Sequence, residues 1–159
     1  MYICSLRMTT LRFFGVICLS VVTLVTLLAL VPTYESAALI RENGKIVYTG
    51  ADTQEGRIAF AGQFGWEVAA QSEEADEVII PAVFDKTYAG YNAVQQAQGL
   101  NLEKYKGKTA ERYVYQILNY PDYSGQVYLT LLVYNGKVIG GDVASPAMDG
   151  FLHGFEKKS

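Results

Sequence analysis

Residues 112–143, RYVYQILNYPDYSGQVYLTLLVYNGKVIGGDV, constrain the fold more than any other part of the chain. Val127, Leu129, Leu131 and Val133 alternate with Tyr128, Thr130, Leu132 and Tyr134, the period of two that gives a strand one wholly apolar face. Asn135-Gly136 supplies the two positive φ angles of a type I′ turn, so Tyr134 is expected opposite Lys137 and the register runs back from there. It predicts Val138 opposite Val133, Gly140 opposite Leu131 and Asp142 opposite Leu129. A lone carboxylate on the apolar face would cost several kcal/mol. Either the ladder therefore breaks, with Gly140-Gly141 as the expected bulge, or the sheet ends there and Asp142 meets water.

Upstream, residues 109–120 read as a long strand with Tyr113, Tyr115, Ile117 and Asn119 on one face and Arg112, Val114, Gln116, Leu118 and Tyr120 on the other. Neither face is cleanly polar, which predicts a central position. Residues 52–63 fit a first helix capped by Thr49 or Asp52 and ended by Gly65. Residues 66–70 and 77–80 fit short strands around an acidic turn at 72–76. Residues 84–98 fit a second helix with Phe84, Tyr88, Tyr91 and Gln95 on one face and Gly99 as its left-handed stop. Asn92 lies one step from that face. Buried amides need partners, so Asn92 and Gln95 are expected either to cap a strand edge or to line a pocket. Residues 45–48 read as a short strand behind an Asn43-Gly44 turn, and the tail from residue 145, with Met148, Phe151, Leu152 and Phe155, is expected to lie across the domain. The sum is an α+β domain: an antiparallel sheet of four to five strands with two helices packed on one face. A cystatin-like arrangement of helix on curved sheet is the nearest analogy.

Residues 13–31, FFGVICLSVVTLVTLLALV, form an uncharged run that as a helix would reach about 28 Å, close to the roughly 30 Å of a bilayer core. Arg7 and Arg12 precede it and Glu35 is the first charge after it. The positive-inside rule then predicts a cytoplasmic N-terminus at 1–12, a signal anchor at 13–31, a linker at 32–50 and an extracytoplasmic domain at 51–159. Ser36-Ala37-Ala38 offers a cleaved signal peptide as the alternative, which would leave the domain secreted. Both cysteines, Cys4 and Cys18, fall in the N-terminal segment, so the exported part must hold together without disulfides, a pattern that suits a bacterial envelope. Without Arg7 and Arg12 it has 11 basic against 16 acidic residues, about −5. That charge argues against nucleic acid as a partner.

Catalytic signatures are sparse. Lys106-Gly107-Lys108-Thr109 ends like a phosphate loop, but Leu102 stands where the first glycine belongs. The four carboxylates of residues 73–77 lack the alternating spacing and central glycine of a calcium loop, which predicts a solvated turn. His153 is the single histidine, so no multi-histidine metal centre can form and one general base is available. No catalytic set, metal site or cofactor is assigned.

Several ordered blocks resemble a known family: Phe64-Gly65-Trp66-Glu67-Val68, Ile80-Pro81, Tyr91-Asn92 with Gln95 and Gln98-Gly99, Tyr105-Lys106-Gly107-Lys108, Asn119-Tyr120-Pro121, VYNGKVIGGDV at 133–143, and Asp149-Gly150-Phe151 with His153-Gly154. Over about residues 57–155 the chain is similar to domain-of-unknown-function family 4830. The resemblance implies an uncharacterised membrane-anchored or secreted protein of Gram-positive bacteria and no particular activity. The blocks coincide with the polar residues singled out as binding candidates: Tyr91, Asn92, Gln95, Asn119, Tyr120, Asp142 and His153.

The expected function is a non-catalytic binding or interaction module of the cell envelope, tethered to the membrane through residues 13–31, with another envelope protein, a peptide or a glycan as partner. The alternative is an envelope hydrolase using His153 oriented by Asp142. A structural accessory subunit, whose partner is another membrane protein, is the third possibility, and an exposed apolar patch bearing Tyr128, Leu132 and Ile139 would favour it.

Overall fold

The computed structural model describes residues 44–157. The expected cytoplasmic segment, the membrane helix at 13–31, the cleavage site near 36–38 and most of the linker lie outside the described residues. Among the described residues, no helix is long and apolar enough to cross a membrane. They form helix α1 (Gln54–Gly62), strand β1 (Glu74–Ile79), helix α2 (Lys86–Ala97), a 3₁₀ turn (Leu102–Tyr105), and strands β2 (Thr109–Gln116), β3 (Tyr128–Tyr134), β4 (Lys137–Ala144) and β5 (Leu152–His153). The five strands make one antiparallel sheet in chain order, β1-β2-β3-β4-β5. The chain is therefore α+β, with β2 internal as expected of a strand with no cleanly polar face.

Local chemistry sets the helix ends. The Thr53 hydroxyl, rather than Thr49 or Asp52, caps α1 by accepting the Gly56 N–H at 3.0 Å. Gly56 is tolerated inside this helix because any side chain there would meet the Gly50 carbonyl, 1.7 Å from where a Cβ would sit. The Asp85 carboxylate caps α2 by accepting the Tyr88 N–H at 2.7 Å. Gly99 then turns the chain at φ 81°, which leaves the orphan carbonyls of the last turn reachable.

Four strand expectations change. The expected acidic turn at 72–76 is largely strand, and Glu74 and Asp76 stand beside Arg112 of β2 at 2.8 and 2.9 Å. The expected strand at 66–70 reduces to one bridge, Val68 to Ile117. It pairs with the residue just past the end of β2 and not with its neighbour in sequence. The long strand ends at Gln116, so Asn119 and Tyr120 lie past its end. Near the start of the described chain, Thr49 bridges Lys137 and residues 45–48 add no strand.

The Asn-Gly turn forms as expected, with both residues at positive φ, and Tyr134 pairs with Lys137 and Val138 with Val133. Beyond that pair the ladder slips: Leu132 faces Gly140, Leu131 faces Gly141 and Thr130 faces Asp142. Ile139 is the extra residue. The bulge is real but falls one residue earlier than Gly140-Gly141, and from Gly140 onward it displaces every residue by one position against β3.

That slip decides which face each residue occupies, because a one-residue shift exchanges the two sides of a strand. One face carries Tyr115, Leu129, Leu131, Val133, Val138 and Val143, covered by Phe60 and Ala61 of α1 and by Trp66 and Phe155. The other carries Ala110, Leu132 and Ile139, covered by Ile80, Leu102 and the rings of Phe84, Tyr88 and Tyr91. The two helices thus serve opposite faces, which corrects the expectation of both on one. β3 is apolar on both sides, and a single layer of helices would have left Leu132 and Ile139 in water. Those residues are 5% and 1% exposed, so two of the three side chains expected in an accessory subunit's exposed patch, Leu132 and Ile139, are internal core, while Tyr128 is half-buried.

Candidate functional site

The seven polar candidates fall into three groups, and each group closes a different seam of the fold. The first is Tyr91 with Asp142. The bulge moves Asp142 off the face bearing Leu129, and the Tyr91 hydroxyl donates to its carboxylate at 2.8 Å. Asp142 is buried, and burial raises its carboxyl above the ordinary 3.8 while the Tyr91 hydrogen bond opposes the rise. Tyr91 is pushed upward as well, first by burial and then by the adjacent Asp142 charge. A phenol kept protonated beside a carboxylate is a stable donor–acceptor pair.

The second group is Gln95 and Asn92, joined by Gln98. Gly141 turns both backbone groups away from β3, and α2 meets them with amides. Gln95 Oε1 accepts the Gly141 N–H at 2.9 Å, and Gln98 Nε2 donates to the Gly141 carbonyl at 3.0 Å and to Gln95 Oε1 at 2.8 Å. Gln98 Oε1 in turn accepts the Phe155 N–H at 2.8 Å. Of the two expected roles for Gln95, capping a strand edge is the observed one. Gln95 Nε2 is buried with no acceptor, and rotating the amide would set two donors against each other at Gly141. Asn92 fastens α2 to the 3₁₀ turn by accepting the Leu102 N–H at 2.8 Å and donating to Asn101 Oδ1 at 3.2 Å. It also borders a depression of about 540 Å³ beside Phe84, Glu103 and Lys106.

Asn119, Tyr120 and His153 make the third group. Asn119 closes the Gly65–Glu67 turn, accepting the Glu67 N–H at 2.9 Å and donating to the Gly65 carbonyl at 3.0 Å. Tyr120 lies between the rings of Trp66 and Phe151, at 5.5 and 4.9 Å. His153 belongs to β5 and not to a loop, and its Nδ1 donates to the Gly154 carbonyl at 2.6 Å. Nε2 lies 3.0 Å from the Tyr120 hydroxyl.

His153 and Asp142 do not form a pair. Val143 is the strand partner of His153, and directly opposed residues share a face, so Asp142, one residue earlier, projects to the other side. The cleft of about 360 Å³ that His153 borders with Tyr48, Phe64 and Phe155 does not include Asp142. Among the described residues, no group of three or more His, Cys, Asp or Glu is placed to hold a metal ion.

The outward sides of β1 and β4 carry the feature that reasoning from side chains missed. Along β4, the outward groups are met in turn: the Val138 N–H donates to the Tyr48 carbonyl at 2.8 Å, Gly141 is held by Gln95 and Gln98, Val143 pairs with His153, and the Ser145 N–H donates to the Phe151 carbonyl at 3.0 Å. β1 has no such cover. The Ile80 N–H donates to Lys108, so in an antiparallel ladder Val78, Asp76 and Glu74 also face β2, while Ala75, Glu77 and Ile79 turn their N–H and C=O groups outward. Among the described residues nothing bonds to those groups. Gly141 was identifiable as an edge position only once the bulge was placed, and the openness of β1 only once the strand order was known.

A five-stranded antiparallel meander with helices on opposite faces defines the class: a small α+β domain. Residues 60–143 match the family described as Domain of unknown function (DUF4830), more than half of the chain, and the protein belongs to that family. No curated protein and no solved structure matches it.

Proposed function

We propose that the chain is a non-catalytic interaction module of the cell envelope, held at the membrane by residues 13–31 and presenting its α+β domain outside. The observation that carries this reading is the unequal treatment of the sheet edges. A fold that engages each outward residue of β4 through at least one backbone group leaves, among the described residues, three residues' worth of backbone donors and acceptors on β1 unpaired. An open, ordered edge strand is a template for a further strand. The hydrolase alternative loses its motivated pair, because Asp142 and His153 project to opposite sides of the sheet and both make hydrogen bonds within the domain.

Turnover is the test. The full chain in detergent micelles, incubated with peptidoglycan and with an unstructured polypeptide, is expected to release no more product than buffer alone. Release above that background which disappears in His153→Ala overturns the reading.

A further inference from the structure

We infer that β1 accepts an extended, lysine- or arginine-bearing segment of another polypeptide as a sixth strand. The inference rests on the interaction-module reading and names the partner's chemistry. Ala75, Glu77 and Ile79 offer three outward N–H and three outward C=O groups in register, enough for a segment of about five or six residues. Natural sheets blunt such edges with charged side chains, lysine above all, with proline or with a covering loop. β1 contains no lysine or proline, and Pro81 comes only after its end; its charges are all acidic, so they oppose acidic strands and admit basic ones.

Charge chooses the occupant. Glu73, Glu74, Asp76 and Glu77 lie along the edge, and among the described residues Arg112 is the one cation paired with any of them. A second copy of this chain would set carboxylates against carboxylates across the new ladder, which opposes pairing. A basic strand would meet opposite charge at alternate positions. At the end of the strand Ile79 is 71% exposed and Val83 83% exposed. Two large apolar side chains so close together in sequence give the partner an apolar contact beside the charged one.

Proline supplies a clean probe. The Glu77 N–H points away from β2, so Glu77→Pro removes an edge donor without removing a ladder bond. The full chain in detergent micelles is titrated calorimetrically with a synthetic octapeptide alternating lysine and valine, and with its counterpart in which glutamate replaces lysine. The lysine peptide is expected to bind and to slow amide exchange at Ala75, Glu77 and Ile79, with the glutamate peptide bound about tenfold more weakly or not at all. Glu77→Pro is expected to weaken the lysine peptide by about tenfold or more while the unfolding midpoint stays near wild type. Should that variant fail to fold, the double reversal Glu73→Lys with Glu77→Lys, at exposed positions, is expected to exchange the two peptides' order of affinity. The inference is overturned by equal binding of both peptides, by binding of neither, by slowed exchange elsewhere but not at β1, or by a double reversal that leaves the order unchanged. Failure here without turnover in the preceding assay removes this edge as the site and leaves the non-catalytic reading standing. Turnover dependent on His153 removes that reading itself.

Discussion

The outward sides of β1 and β4 meet the same physical problem in opposite ways. β4 turns alternate backbone groups outward just as β1 does, yet each outward residue is engaged: Val138 by Tyr48, Gly141 by two glutamine amides, Val143 by β5, and Ser145, just past the strand, by Phe151. Leaving a buried backbone donor or acceptor unmet costs about 1–3 kcal/mol. The β4 edge is buried beneath α2 and the C-terminal segment, so it must be satisfied internally. β1 is solvated, so water satisfies it at no cost and another chain can displace that water. What the comparison teaches is that glutamine, placed by a helix, can do the hydrogen bonding of a missing strand, and that β5 can then be as short as two residues.

The contrast can be broken most severely at Gly141. Its φ is +151° and a Cβ would sit 2.1 Å from the Thr130 carbonyl oxygen, so Gly141→Ala is expected to cost about 3–5 kcal/mol in urea unfolding, through collision and backbone strain together. Moving a proline between neighbouring positions of β1 sharpens the comparison. Val78→Pro removes a donor that faces β2 and is expected to cost about 3 kcal/mol, whereas Glu77→Pro is expected to stay within about 1 kcal/mol of wild type. Equal effects at both positions would mean that the outward and inward sides of β1 have been assigned wrongly.

Gln95→Leu keeps the volume and removes the acceptor. It is expected to cost about 2 kcal/mol, because the Gly141 N–H is left buried and unmet. Combined with Gln98→Ala it should cost less than the sum of the two changes, since both amides serve the same glycine.

Asp142 gives the pH dependence. Its folded carboxyl is raised by burial, so below the ordinary 3.8 both folded and unfolded chains hold the proton and no penalty exists. As pH rises above that value the unfolded chain ionises first, and stability falls until the folded carboxyl has also ionised. Comparing wild type with Asp142→Asn across that window isolates the effect, and the variant is expected to show a smaller loss with rising pH. A variant whose stability follows the wild-type curve throughout would show that Asp142 is not the group responsible. The smallest change expected is at Arg112→Gln, about 1 kcal/mol or less and shrinking with added salt, because its pairs with Glu74 and Asp76 are solvent-exposed.

Much of the fold was readable in order along the chain. Alternation placed β3, the Asn-Gly pair placed the hairpin and its first two pairings, and the apolar stripe with Gly99 placed α2. Period and turn chemistry act over a few residues, and nothing distant overrides them there. The candidate residues were recognisable as important for a related reason: an amide, phenol or carboxylate inside an apolar stretch needs a partner. Which partner it finds was not readable. Tyr91 and Asp142 lie 51 residues apart in the chain, as do Gln95 and Gly141 at 46. The acidic segment at 72–76 read as a turn because its carboxylates repel in isolation; Arg112, brought alongside by β2, allows it to be strand.

The amino-acid order alone determined that residues 127–143 form a two-stranded ribbon, that two helices accompany it, and that Asp142 could not remain opposite Leu129 without a break in the ladder. Tertiary structure decided where the break falls, which side of the sheet each helix covers, and which edge is left open. The division is physical. Turns and periodicity depend on dihedral preferences and side-chain alternation within a few residues, whereas an edge is sealed or open only by virtue of what the rest of the chain lays against it.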